Sequence, residues 1–155
     1  MSTKNKLKIA IAGLGFGKKV HLEALKESDY LTPVAFYHYD KKQNSILEKE
    51  MGLDFFHDWE DLVKSPEIDG IIIATPPESR FKLAKRALEN NKNLLLEKPV
   101  SISSLEIEEL QRISLINNLS VCVDFEYRAV PLFLQTKKLI DENILGEIYL
   151  SLIHI

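Results

Sequence analysis

The sequence predicts an α/β protein built on a doubly wound parallel sheet, and three observations carry that expectation. Short apolar runs alternate with segments of helical period, as βαβ units require. The runs are apolar on both faces, which suits parallel strands covered from two sides. The first of them empties into a glycine-rich turn with a helical segment behind it. In chain order, strands are predicted over residues 7–12, 33–39, a short piece at Phe55-Phe56, 70–75, 93–96 and 120–125. Helices are predicted between them over 18–27, 42–51, 58–63, 81–89 and 104–117; the last would turn Leu105, Leu110, Ile113 and Ile116 toward the sheet. Glycines and prolines fall singly at turns, and there is no internal repeat or low-complexity stretch.

After Phe125 the pattern changes. A helix is predicted over 131–143 with Gly146 as its stop, followed by a β-branched, apolar strand over 147–155. The expected organisation is therefore a domain over 1–125, then a linking helix and first strand of an otherwise absent second domain over 126–155. A strand with no partner in the sequence exposes its backbone groups, so pairing with another copy, and hence a homo-oligomer such as a dimer, is expected.

Composition narrows the function. A chain of 155 residues holds one good core, and a hydrophobic share of 45% with 28% charged residues is that of a soluble globular protein. The net charge of -3 argues against a nucleic-acid partner, which calls for a basic face. The apolar run 7–12 is too short for a membrane span and passes straight into glycines and Lys18-Lys19, so no membrane partner is expected and the location is read as cytoplasmic. The single cysteine, Cys122, lies between Val121 and Val123 and is expected to be a buried structural thiol. One cysteine builds neither a disulfide nor a zinc site, and no metal is expected.

Four strand tips carry chemistry. Gly13-Leu14-Gly15-Phe16-Gly17 follows the first strand and opens a helix, the place where a tight turn lets backbone amides approach a pyrophosphate at a helix N-terminus. Lys18 stands at the third fingerprint position in place of Gly or Ala, so a plain glycine turn stays open as an alternative. The second strand ends in His38, Asp40, Lys41 and Lys42. An acid there would hold the ribose hydroxyls of NAD, basic groups would accept the 2′-phosphate of NADP, and Asp40 as a mere helix cap is the bland alternative. The reading leans to NADP, because His38 and the two lysines can surround a phosphate, with NAD kept open by Asp40. Finally Thr75-Pro76-Pro77 and Glu97-Lys98-Pro99 end strands four and five, at the sheet edge where such folds bind ligands. A lysine at such a tip can bind a substrate hydroxyl or act as a base; an ordinary surface lysine before a proline is the alternative.

Taken together, Gly13-Leu14-Gly15-Phe16-Gly17 with His21, Asp69-Gly70-Ile71-Ile72-Ile73-Ala74-Thr75-Pro76-Pro77, Glu97-Lys98-Pro99 and Tyr127-Arg128 resemble the glucose-fructose oxidoreductase / inositol dehydrogenase / MocA family of NAD(P)-dependent oxidoreductases. The resemblance implies a Rossmann cofactor domain and hydride transfer between a nicotinamide and a hydroxyl or carbonyl carbon of a sugar, polyol or similar small molecule. It places Lys98 near the nicotinamide and the reacting hydroxyl, as the catalytic residue. It places Glu97 near the nicotinamide ribose, Thr75, Pro76 and Pro77 along the cofactor, and Arg128 at the mouth of the substrate site. This chain departs from the family in carrying Arg80 where a His is common after Thr-Pro-Pro, and Asn91 where a Gly is common before strand five. Family members continue into a substrate domain that supplies a catalytic His. The four histidines here are read as structural or solvated, and the 155-residue chain alone is expected to be inactive. The rival readings are a dinucleotide-binding protein without catalysis and an inactive truncated fragment.

Overall fold

The computed structural model describes residues 6–40, 48 and 51–150. They fall into two compact units, Met1–Asp124 and Phe125–Ile155. In the first, six strands form one sheet: β1 (Leu7–Ala12), β2 (Leu31–Tyr37), β3 (Asp54–Phe56), β4 (Gly70–Ile73), β5 (Asn93–Glu97) and β6 (Val121–Asp124). Their order is β3-β2-β1-β4-β5-β6 and every pairing is parallel, so the chain winds outward twice from β1 and β4. This is the doubly wound sheet expected from the alternation of apolar runs and helical segments.

Side chains alternate across the strands and fill two cores. On one face Ala10, Ile71, Ile73, Leu94 and Leu96 pack with Trp59, Leu62, Ala84, Leu88, Leu110 and Ile113. These come from three helices, α2 (Trp59–Lys64), α3 (Pro77–Glu89) and α4 (Ser104–Ile116). On the other face Ile9, Ile11, Phe36 and Ile72 meet Leu22 and Leu25 of α1 (Leu22–Lys26). Strands buried on both faces are why the sequence runs read as continuously apolar.

Several boundaries differ from expectation, each for a local reason. β2 begins at Leu31, two residues early: Pro33 sits inside the strand, and the β1–β2 register shifts beside it, between Ile9 and Ala10. A residue without an N–H is accommodated at such an irregularity. α3 starts at Pro77 because proline is tolerated where the helical N–H has no partner. Of the expected stripe on α4, Leu110 and Ile113 are buried, but Leu105 and Ile116 are 72% and 68% exposed. At about 100° per residue they stand far around the helix from Leu110. Cys122 is exposed, correcting the expectation of a buried thiol: β6 is the sheet's edge strand, and Val121 and Val123 take the helix-covered face.

The second unit holds a short 3₁₀ turn (Glu126–Ala129) and α5 (Pro131–Asp141). The helix ends before Gly146, because Asn143 already adopts left-handed geometry at φ 55°. Glu147 to Leu150 form no strand, and 151–155 lie outside the described residues, as does most of the helix expected over 42–51. No described helix is long and apolar enough to cross a membrane.

Candidate functional site

The C-terminal tips of β1, β2 and β4 enclose a cleft of about 730 Å3, lined by Gly13, Leu14, Gly15, Tyr37, His38, Tyr39, Thr75, Pro76, Pro77 and Arg80 among others. Its glycines have distinct tasks. Gly13 adopts φ +109°, and a Cβ there would lie 2.6 Å from the Ala74 carbonyl oxygen, so only glycine lets the turn pass so close to β4. Gly17 packs on β1, where a Cβ would meet Ile11 Cγ2 at 2.8 Å. Gly15 has nothing within 4 Å of its missing Cβ. The first two glycines are held by the fold, whereas the third leaves open room beside a helix start, the arrangement a pyrophosphate needs. Gly17, one residue ahead of the expected third position, does the packing that Lys18 cannot, and the helix opens on a π turn over Gly17–His21. Phe16 is 43% exposed, and its ring meets His21 edge-on at 5.4 Å.

At the end of β2, the His38 ring stacks on Tyr39 at 4.6 Å, and its Nδ1 accepts from the Asp40 N–H at 3.2 Å. His38 lines the cleft and Asp40 does not, while Lys41 and Lys42 lie outside the described residues. On the β4 side, Thr75 Oγ1 accepts from Ser79 Oγ at 3.1 Å, fixing the turn before α3.

Two residues that sequence reasoning left without a task tie these tips together. Arg80, 3% exposed, donates to the carbonyls of Thr75, Glu97 and Pro99, the Glu97 bond being 2.5 Å. It thus bridges the Thr75-Pro76-Pro77 turn to the Glu97-Lys98-Pro99 tip. Burial lowers the guanidinium pKa from its ordinary value, with Glu97 and Glu78 opposing the shift, and Nε has no hydrogen-bond partner among the described residues. The signal was present in the sequence: Arg80 shares the helical phase of Ala84, Ala87 and Leu88, all buried. His21 is 6% exposed, and its Nε2 lies 3.0 Å from Glu97 Oε1 and 3.7 Å from Asp124 Oδ2. Glu97 Oε2 accepts the Lys98 N–H at 3.2 Å. The Lys98 side chain is exposed, and no described residue pairs with its ammonium. Arg128 is an exposed residue of the second unit, its N–H donating to the Phe125 carbonyl at 2.9 Å.

A second cavity, about 400 Å3, opens at the opposite, N-terminal ends of the strands among Leu7, Ile9, Ile72 and Leu95. Its lining is mostly apolar, with Asp69, Asn93 and Ser120 as the polar members.

Residues 7–125 match the model of an oxidoreductase family with an NAD-binding Rossmann fold, the Gfo/Idh/MocA family. The chain is 32% identical over 151 residues to an uncharacterized oxidoreductase of Synechocystis sp., spanning 97% of this chain and 41% of that protein. It superposes with a TM-score of 0.84 and 25% identity on scyllo-inositol dehydrogenase from Lactobacillus casei, solved with NAD(H) and scyllo-inositol, covering 92% of this chain and 43% of that one. A 3-ketoreductase from Actinomadura kijaniata, solved with NADP, has the same fold at a TM-score of 0.85 and 19% identity.

Proposed function

The chain belongs to the Gfo/Idh/MocA oxidoreductase family, and from that premise we propose that it is the cofactor-binding part of an NAD(P)-dependent dehydrogenase acting on a sugar, polyol or related hydroxyl compound. The observation that carries the reading is the open space at Gly15, facing a cleft whose other walls are the β2 and β4 tips. In this reading, residues 1–125 are the NAD(P)-binding domain and 126–155 begin the substrate domain. A dinucleotide would lie with its pyrophosphate against Gly13, Gly15, Phe16 and Gly17, one ribose beside His38 and Asp40, and its far half along Thr75, Pro76, Pro77 and Glu97. The bound nicotinamide supplies the hydride-accepting or hydride-donating ring. His38 rather than Asp40 lines the β2 end of the cleft, and an imidazole there can donate a hydrogen bond to a 2′-phosphate, which favours NADP.

Lys98 is the catalytic residue of this reading. It ends the tip that Glu97 and Arg80 hold, and its ammonium is available to bind the substrate oxygen and to hold or release a proton at Nζ as that oxygen gains or loses charge. Arg128 would meet the substrate. The polyol class is taken from the inositol dehydrogenase that the fold matches. In the complete protein, Lys98→Ala should lower kcat by about a hundredfold or more while dinucleotide Kd changes little. Equal losses in both, or unchanged turnover, would remove Lys98 from the chemistry.

A further inference from the structure

A polar cluster stands behind the proposed site: His21 and Glu97, both buried, and Asp124, partly buried. Its members come from three elements. His21 closes the π turn behind the glycine loop, Glu97 ends β5, and Asp124 ends β6. Glu97 and Asp124 stand side by side because they are register partners on adjacent parallel strands. An ionised carboxylate accepts hydrogen bonds but donates none, so the tautomer that carries its hydrogen on Nε2 lets His21 donate to Glu97 Oε1. The side chains of His21 and Glu97 are only 7% and 9% exposed, so water does not substitute for that donor. The other Glu97 oxygen holds the Lys98 N–H. The cluster therefore runs as a chain from the helix behind the glycine loop to the backbone of Lys98.

We infer that His21 is a positioning residue for the half of the dinucleotide beyond its pyrophosphate, an inference that rests on the proposed dinucleotide binding. In a doubly wound sheet one nucleotide lies over the β1–β3 half and the other over the β4–β6 half. His21 sits on the helix that would receive the pyrophosphate, yet its imidazole serves the tips of β5 and β6. It fixes the Glu97-Lys98 tip relative to the glycine loop, setting the distance that a dinucleotide must span. Without its donor, Glu97 is left as a buried carboxylate with one oxygen unsatisfied and turns toward water, so the tip loses its tie to the glycine-loop helix while Arg80 still holds it to the Thr75 turn.

The test uses the purified chain and two ligands, NADPH and 2′-phospho-ADP, the latter being the same molecule cut off after its pyrophosphate; NADH and ADP replace them if NADH binds better. His21→Leu should weaken NADPH binding about tenfold while the truncated ligand binds as before, because only the far half is misplaced. His21→Gln, whose amide nitrogen reaches about as far as Nε2, should restore NADPH binding to within about threefold. Undiminished NADPH binding by His21→Leu, equal weakening of both ligands, or failure of glutamine to rescue would each overturn the inference. If His21→Leu does not fold, His21→Asn takes its place: its amide stops short of Glu97, and binding as tight as that of His21→Gln would overturn the inference. A wild-type chain that binds neither NADPH nor NADH refutes dinucleotide binding itself, an outcome distinct from all of these.

Discussion

At Gly13 and Gly15 one residue type meets opposite surroundings, and substitutions at the two positions should separate folding from binding. A Cβ at Gly13 would collide with the Ala74 carbonyl at 2.6 Å on a backbone already at φ +109°, so Gly13→Ala should cost about 1–3 kcal/mol in stability, seen as a lower Tm. Gly15→Val places its side chain in open space, leaving Tm unchanged while NADPH affinity falls about tenfold or more as the pyrophosphate is kept off the helix start. Unchanged affinity in Gly15→Val would show that the loop is not the phosphate site. The glycine spacing made this loop legible in the sequence. The division of labour within it was not, because which glycine touches β4 and which faces open space depends on contacts with Ala74 and Ile11, distant along the chain. Arg80 and His21 escaped for the same reason. Each is a charged or polar residue on an apolar helical phase whose partners, the carbonyls of Thr75 and Pro99 and the carboxylate of Glu97, come together only when the sheet forms.

Among the elements, α2 and α3 are joined at the surface by Arg86, which donates to both Glu60 oxygens, at 2.8 Å from Nε and 2.5 Å from Nη2. Those bonds, with Lys64 assisting, hold the Glu60 pKa at about 2 rather than 4.5. A carboxylate whose folded pKa is depressed adds stability above its ordinary pKa and loses it as pH falls toward the folded value. Wild-type Tm should therefore include a contribution from Glu60 near neutral pH that disappears between about 4.5 and about 2. Glu60→Gln should have a slightly lower Tm near neutral pH and the same Tm as wild type at the acid end, the effect being small because the pair is exposed. A difference that persists unchanged to the acid end would contradict the assignment. Element identity and order were legible from the alternation of apolar runs. Element ends were less so where a local rule competed with periodicity: Pro33 lies within β2 beside a register shift, Pro77 starts α3 ahead of its first apolar residue, and Asn143 stops α5 before Gly146. The exposure of Cys122 follows from its strand lying at the edge of the sheet, a fact of strand order that a single apolar run does not encode.

For the whole molecule, the doubly wound order β3-β2-β1-β4-β5-β6 brings the glycine turn, the His38-bearing end of β2 and the Thr75-Pro76-Pro77 turn to one cleft. The same C-terminal edge carries the Glu97-Lys98 tip. The chain spans 43% of the length of the inositol dehydrogenase it superposes on, so dinucleotide binding is the part of the proposed activity that this chain can be asked to perform by itself. The most direct test is calorimetric titration of the purified 155-residue protein with NADPH and with NADH. Saturable binding of one dinucleotide per chain, tighter for NADPH than for NADH, is the predicted result. Binding of neither dinucleotide would contradict the account at its centre, and tighter binding of NADH would overturn the role given to His38 while leaving the glycine loop intact.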